Sequence, residues 1–229
     1  MRILAHRGNR NGIIKAEENK LPALKACLAR GWGVETDIRR SPQAKFYISH
    51  DPADVTVENA AEKFFKLFRM YPQSPIALNF KELGYEAELI RYLQDQSAPD
   101  QLFLFDMELI EETSGQTAKK FRQLDPNIRL AARVSDRDET IERALNIECA
   151  SVIWLDEFDG LWVTQACVQR LKQQARTIYA ISPEIHGFSR ADMLKRWEQF
   201  HQWGVDGICT DYAEELDQHM NSLSTERSA

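Results

Sequence analysis

The run Ser151-Val152-Ile153-Trp154-Leu155-Asp156 decides the fold. A strand with one wet face alternates polar and apolar residues; this run does not alternate, so both of its faces must be covered. Such strands belong to parallel sheets flanked by helices. Working outward, seven further apolar or β-branched runs of strand length appear at 2–6, 33–39, 75–81, 101–106, 129–135, 177–183 and 205–211. Longer stretches with helical periodicity lie between them. Residues 19–30 end at Gly31. Residues 189–203 start at a capping Ser189 and stop at Gly204, and 136–146 is a third such stretch.

Eight strands alternating with helices predict an α/β fold, a single (β/α)8 TIM barrel, and the length of 229 residues suits one at the lower end of the usual range. A doubly wound open sheet is the alternative. The barrel is expected over residues 1–213, with a short insertion at 52–74, where Phe64, Phe65, Leu67 and Phe68 form an apolar cluster on a helix before Tyr71-Pro72. Residues 214–229 read as a polar C-terminal tail that frays over 222–229.

Composition excludes several classes. With 43% apolar and 28% charged residues the chain can build a full core and is neither collagenous, disordered nor a coiled coil. A net charge of −6 without a dense Lys/Arg block argues against a nucleic-acid partner. Polar residues occupy Met1–Gly8, where a signal peptide would be apolar, and no run approaches the about 18 apolar residues of a membrane span. The expectation is a soluble, cytoplasmic protein whose oligomeric state the sequence leaves open. The four cysteines, 27, 149, 167 and 209, lack CxxC spacing and read as reduced packing residues.

Catalytic groups of a parallel barrel lie at the carboxyl ends of its strands. Here those ends carry His6-Arg7, Glu35 with Asp37, His50, Asn79 with Lys81, Asp106, Asp156, Glu184 with His186, and Asp211. So many ionisable groups closing apolar strands point to one site, because a buried charge is costly unless paired or metal-bound. Glu35 and Asp37, two residues apart on a strand, project from the same face, and an all-oxygen pair suits Mg²⁺ or Ca²⁺. Asn79 and Lys81 repeat that spacing with a neutral oxygen and an ammonium, which a phosphate would complement. His6 and His50 supply two imidazoles for acid–base work near neutral pH.

Together Ala5-His6-Arg7-Gly8, Glu18-Asn19, Gly33-Val34-Glu35-Thr36-Asp37, Ser49-His50-Asp51, Asn79-Phe80-Lys81 and Gly207-Ile208-Cys209-Thr210-Asp211 resemble the glycerophosphodiester phosphodiesterase family. The match runs nearly the whole chain, and the ordered N-terminal set is specific where each piece alone is weak. The resemblance implies a (β/α)8 barrel that cleaves phosphodiesters with a divalent cation and two histidines. It places His6 and His50 as the catalytic acid and base, Glu35, Asp37 and Asn79 as metal ligands, and Arg7 and Lys81 as phosphate-binding residues. The substrate is then a small-molecule phosphodiester, first attacked by its own neighbouring hydroxyl.

The chain departs from the family in three ways. Asn79 stands where the family has a third acidic ligand, which lowers the expected affinity for the cation. Glu17 and Lys20 replace the usual proline and threonine around Glu18-Asn19, and the family's insertion after His50-Asp51 is much shortened. In the C-terminal half, Asp106, Trp154, Glu184 and His186 are expected in the substrate pocket, with Asp106 or Glu184 as a substitute for the missing carboxylate. The alternative function is a barrel that binds a phosphorylated ligand with little or no turnover because the metal site is degenerate.

Overall fold

The computed structural model describes residues 1–173 and 176–226. Its strands are β1 (Arg2–Ala5), β2 (Gly33–Arg40), β3 (Phe46–Ile48), β4 (Ile76–Phe80), β5 (Leu102–Phe105), β6 (Ala131–Val134), β7 (Val152–Leu155), β8 (Thr177–Ile181) and β9 (Gly207–Thr210). The helices are α1 (Leu21–Leu28), α2 (Ala61–Arg69), α3 (Glu86–Asp95), α4 (Gln116–Leu124), α5 (Ile141–Leu145), α6 (Gln165–Lys172), α7 (Arg190–Trp203) and α8 (Ala213–Glu226). The spatial order β5-β4-β2-β1-β9-β8-β7-β6 is parallel throughout. Its two ends meet in a parallel bridge between Leu104 and Leu130, with Leu104 N–H donating to Arg129 O at 3.0 Å. The sheet therefore closes, and the fold is an α/β (β/α)8 barrel rather than an open sheet.

Each strand buries both faces, as the unalternated apolar runs require. One face meets the helices in a continuous core containing Leu24, Phe64, Phe65, Phe80, Phe121, Trp197 and Phe200. The other fills the barrel with Leu4, Ala77, Phe103, Ala131, Val152, Tyr179 and Cys209, topped by Phe105, Trp154 and Ile181. Phe103 stacks on Tyr179 with centroids 5.3 Å apart, and Phe105 packs on Trp154 at 4.2 Å. Gly207 is required by this filling, because a Cβ there would come within 2.6 Å of the Tyr179 ring. The barrel's lower half is thus filled by apolar and aromatic side chains, and the ionisable residues that close the strands lie at its upper end.

Several local boundaries differ from the sequence expectation for identifiable reasons. The stretch 52–74 is not an added insertion. It carries α2, the helix of the crossover from β2 to β4, whose Phe64, Phe65 and Phe68 are fully buried. Before it, β3 pairs antiparallel with the end of β2, Ile38 opposite Ile48. Helix α1 starts only at Leu21, because Asn19 (φ +58°) turns its amide to Asp37 and takes a hydrogen bond from Thr36. Helix α5 is confined to Ile141–Leu145 because Asp136 is spent on the next loop, accepting backbone N–H groups of Phe158, Asp159 and Gly160 at 2.8 Å each. The polar stretch read as a tail is helical to Glu226: α8 buries Ala213 and Leu216 and packs against β1 and β9, so it is the barrel's closing helix. Residues 227–229 of that stretch lie outside the described residues.

Helix α7 fits its sequence signals closely. Ser189 Oγ accepts Asp192 N–H at 3.2 Å, and Gly204 ends the helix in the left-handed region at φ +81°. All four cysteines are free, Cys27 and Cys209 buried and the other two half-buried. Among the described residues no helix is long and apolar enough to cross a membrane.

Candidate active site

A cavity of about 360 Å³ opens at the carboxyl ends of the strands. His6, Arg7, Glu35, His50, Asn79 and Lys81 line one wall; Phe105, Asp106, Arg133, Trp154, Asp156 and His186 line the other. A second hollow, about 470 Å³ between β3, α2 and α3, lies away from the strand ends and carries no histidine.

The first wall is built around Asp37. Its side chain is wholly buried; Oδ2 accepts from Asn19 Nδ2 at 2.7 Å and lies 3.4 Å from Arg7 Nε, and Oδ1 lies 3.1 Å from Lys81 Nζ. Burial works against the charge, but Lys81, Arg7 and the Asn19 hydrogen bond outweigh it and hold this carboxyl below its ordinary range. Glu35 projects from the same face of β2. Its Oε2 accepts Arg7 N–H at 3.1 Å and lies 3.8 Å from His6 Nε2, while burial and the neighbouring Asp37 push its carboxyl up to about 7.

His6 and His50 have opposite environments. His6 Nδ1 lies 2.8 Å from Asp211 Oδ1, which orients the ring and leaves Nε2 on the Glu35 side. Burial disfavours the imidazolium, but Asp211 and Glu35 together outweigh it and raise the His6 pKa. His50 is more open, hydrogen-bonded to Asp51 at 2.9 Å, and burial together with Arg7 lowers its pKa. Two imidazoles displaced in opposite directions within one cavity suit an acid and a base.

Arg7 is held by Glu18 at 3.3 Å, and its backbone lies in the left-handed region at φ +50°. Asn19 and Asp106 are there too, at φ +58° and +71°, so three strained non-glycine residues border one site.

Asn79 stands beside Asp37 in the β2/β4 register. Its Nδ2 donates to Asp106 Oδ2 at 2.7 Å, which fixes the amide and leaves Oδ1 buried without a hydrogen-bond partner. Asp37 Oδ1 is likewise buried without a hydrogen bond. Asn79 Oδ1, without a partner, and Asp37 Oδ1, whose one partner is the Lys81 ammonium at 3.1 Å, are adjacent oxygens next to Glu35 of the kind a hard divalent cation takes. The set is two carboxylates and one amide, and no group of three His, Cys, Asp or Glu side chains suited to a metal exists among the described residues.

The pocket expectations divide. Trp154 forms part of the cavity floor while also packing in the barrel core. His186 lines the far wall, its Nε2 2.6 Å from Asp156 Oδ1. Asp106 lines the cavity, but both its oxygens are taken, by Asn79 and by Arg133. Glu184 is not brought to the cavity: Thr210 Oγ1 at 2.6 Å, Asp211 N–H at 3.1 Å and Ser182 turn its carboxylate into the β9 backbone, so it does not stand in for the missing ligand.

The sequence reading missed Arg133. Buried on β6, it bridges Asp106 and Asp156 and ties the ends of β5, β6 and β7 together in the cavity's far wall. Its signal was available, since Ala131-Ala132-Arg133-Val134 places a guanidinium in an otherwise apolar strand, as Lys81 follows the apolar β4.

No family model and no curated protein matches the sequence. Solved structures do match. A glycerophosphoryl diester phosphodiesterase from Parabacteroides distasonis superposes with a TM-score of 0.75 at 17% identity, over 97% of this chain and 86% of that one. The chain has the fold of the glycerophosphodiester phosphodiesterases. An Oleispira antarctica phosphodiesterase in complex with the product sn-glycerol-3-phosphate gives a TM-score of 0.68 at 16% identity, over 96% and 97% of the two chains. The glycerophosphodiester phosphodiesterase of Thermotoga maritima gives 0.61 at 18%, over 94% and 96%. The family that the sequence motifs resemble is thus one whose solved structures share this barrel.

Proposed function

We propose that this chain is a metal-dependent phosphodiester hydrolase acting on glycerophosphodiesters. The observation that carries the reading is the gathering of His6, Arg7, Glu35, His50, Asn79 and Lys81, distant in sequence, around one cavity at the carboxyl ends of the strands. The glycerol 3-phosphate named for the Oleispira antarctica protein supports the substrate class.

Glu35, Asp37 and Asn79 would hold the cation, Mg²⁺ or Ca²⁺, which when bound would draw charge from the phosphoryl oxygens. Arg7 and Lys81 put two positive side chains at the same cavity of an acidic protein, so the local field favours a phosphate although the net charge is −6. His50, with its lowered pKa, takes the proton of the attacking hydroxyl; His6, with its raised pKa, gives one from Nε2 to the departing oxygen. Each transfer contributes about 10²–10⁴-fold. Asp211 keeps His6 in the orientation this requires.

The test is hydrolysis of glycerophosphocholine and glycerophosphoglycerol with Mg²⁺, with Ca²⁺ and with chelator. Cation-dependent release of glycerol phosphate is expected, and no turnover under any condition would refute the hydrolase reading. One observation favours a second reading, a barrel that binds a phosphorylated ligand without turnover. Lys81 Nζ already lies 3.1 Å from Asp37 Oδ1, where an ammonium competes with a metal ion. Titration calorimetry separates the two: phosphate-ligand binding that ignores chelator, with no measurable cation affinity, supports the second.

A further inference from the structure

The cavity's far wall carries a third imidazole that neither proton transfer uses. His186 ends the turn Pro183–His186, and its Nε2 lies 2.6 Å from Asp156 Oδ1. Asp156 is almost completely buried and is kept ionised mainly by Arg133 against the cost of burial, so its carboxylate accepts the His186 Nε2–H. In the neutral imidazole Nδ1 is then the lone pair, with no hydrogen bond to it among the described residues, on a residue that lines the cavity.

The wall is stiff, its two carboxylates sharing one guanidinium. Asp156 also accepts Glu157 N–H at 2.9 Å, and Arg133 joins it to Asp106. Phe158 packs against the His186 ring at 4.5 Å, in a loop pinned by Asp136. Both oxygens of Asp106 and of Asp156 are engaged, so neither is free to pair with an ammonium. Nor does Phe158 offer a bare face to a cation, because Arg137 and Arg133 lie over its ring at 4.2 and 5.2 Å.

We propose that His186, oriented by Asp156, determines the specificity of this cavity: it accepts a hydroxyl of the substrate's alcohol half and selects neutral hydroxylated alcohols such as glycerol over ammonium alcohols such as choline. The inference rests on the glycerophosphodiester reading and names the half of the substrate that reading leaves open. Asp156 is a positioning residue; His186 makes the contact.

The experiment compares glycerophosphoglycerol with glycerophosphocholine in the wild type, His186→Ala and His186→Gln. The wild type should prefer the glycerol diester by about tenfold in kcat/KM, the worth of one hydrogen bond. His186→Ala should abolish the preference by slowing only the glycerol diester, and His186→Gln, whose carbonyl can also accept, should restore part of it. A merely structural role would slow both substrates alike, and an unchanged ratio in His186→Ala overturns the proposal. Calorimetry of the same diesters in chelator tests it without turnover. If the wild type hydrolyses neither diester, the hydrolase reading fails; a glycerol preference in Kd that His186→Ala removes still supports the His186 role, and equal Kd values overturn it as well.

Discussion

Removing the Arg133 guanidinium while keeping its bulk, as in Arg133→Met, isolates the interaction that ties the cavity's far wall together. The Arg133 side chain is 4% exposed, and its partners Asp106 and Asp156 are 10% and 3% exposed, so neither carboxylate can turn to water when the guanidinium goes. Asp106 would keep the Asn79 amide, and Asp156 would keep His186 and Glu157 N–H. Two buried anions left with these hydrogen bonds and without their guanidinium should cost about 3–5 kcal/mol. At about 2–4 °C per kcal/mol for a chain of this size, the melting temperature falls on the order of 10 °C.

The pH dependence follows in sign. In the wild type Asp156 is held below the ordinary carboxylate value: burial opposes this, and Arg133 leads the groups that outweigh it. Its stabilising contribution is present above the unfolded pKa of about 3.9 and is lost as pH falls through the folded value. Without Arg133 both carboxyls titrate above their unfolded values, so the variant loses stability as pH rises, and its deficit is larger at pH 8 than at pH 5. Urea and thermal unfolding at both pH values, with the neutral triple variant Asp106→Asn/Arg133→Met/Asp156→Asn as control, measure this. The triple variant should recover much of the loss. A single variant within about 1 kcal/mol of wild type, a deficit independent of pH, or a triple variant less stable than the single would refute the reasoning.

Four further outcomes are expected. Single substitutions His6→Gln and His50→Gln should each lower kcat by about 10²–10⁴ with unchanged circular dichroism, read in the glycerophosphodiester assay. Asn79→Asp faces Asp106 with a second carboxylate where a 2.7 Å hydrogen bond stood, so it should destabilise by about 1–3 kcal/mol in urea; the exchange Asn79→Asp/Asp106→Asn should restore stability and tighten Mg²⁺ binding in calorimetry. Burial pushes the Glu108 carboxyl up to about 7, so its contribution is intact below the unfolded value and lost as pH rises through 7; Glu108→Gln should gain stability over wild type at pH 8 and not at pH 4. Gly207→Ala drives a methyl against Tyr179, 2.6 Å away, and should cost about 1–3 kcal/mol in the melting curve.

The barrel was legible because its strands announce themselves: each is an apolar run too short for a helix and too apolar for a wet sheet. The gathering of polar residues at one end of the barrel was legible by position, since a charged residue closing such a run must find a partner at the strand end. What escaped was set by contacts between remote segments. Asp136 looks like the start of a helix, yet its carboxylate serves backbone amides at 158–160 and delays α5 to Ile141. The 214–226 stretch looks like a tail because only a narrow stripe, with Leu216 in it, is apolar, and that stripe suffices against β1 and β9. Glu184 has the right residue type at the right strand end, and only the position of Thr210 shows that it turns away. His6 and Asp211 are 205 residues apart, and barrel closure alone makes them neighbours.

The amide at position 79 follows from the same closure. The register sets Asn79 opposite Phe105, so the next residue, Asp106, arrives beside it, and the φ of +71° there turns its carboxylate toward the amide. Arg133 and Asn79 then occupy both of its oxygens. With a carboxylate fixed at 106, a second one at 79 would meet it at hydrogen-bond distance in a buried place, where two like charges cannot both persist. A neutral donor is what position 79 can carry, and an amide is a neutral donor that still presents an oxygen on its other side. Asn79 gives its N–H to Asp106 and keeps Oδ1 beside Asp37, so the negative charge the resemblance expects at this position stands one strand along the barrel, paired with the Arg133 that also serves Asp156. The oxygen stays and the charge is gone, so a cation bound as proposed would meet the oxygen of the expected ligand without its charge.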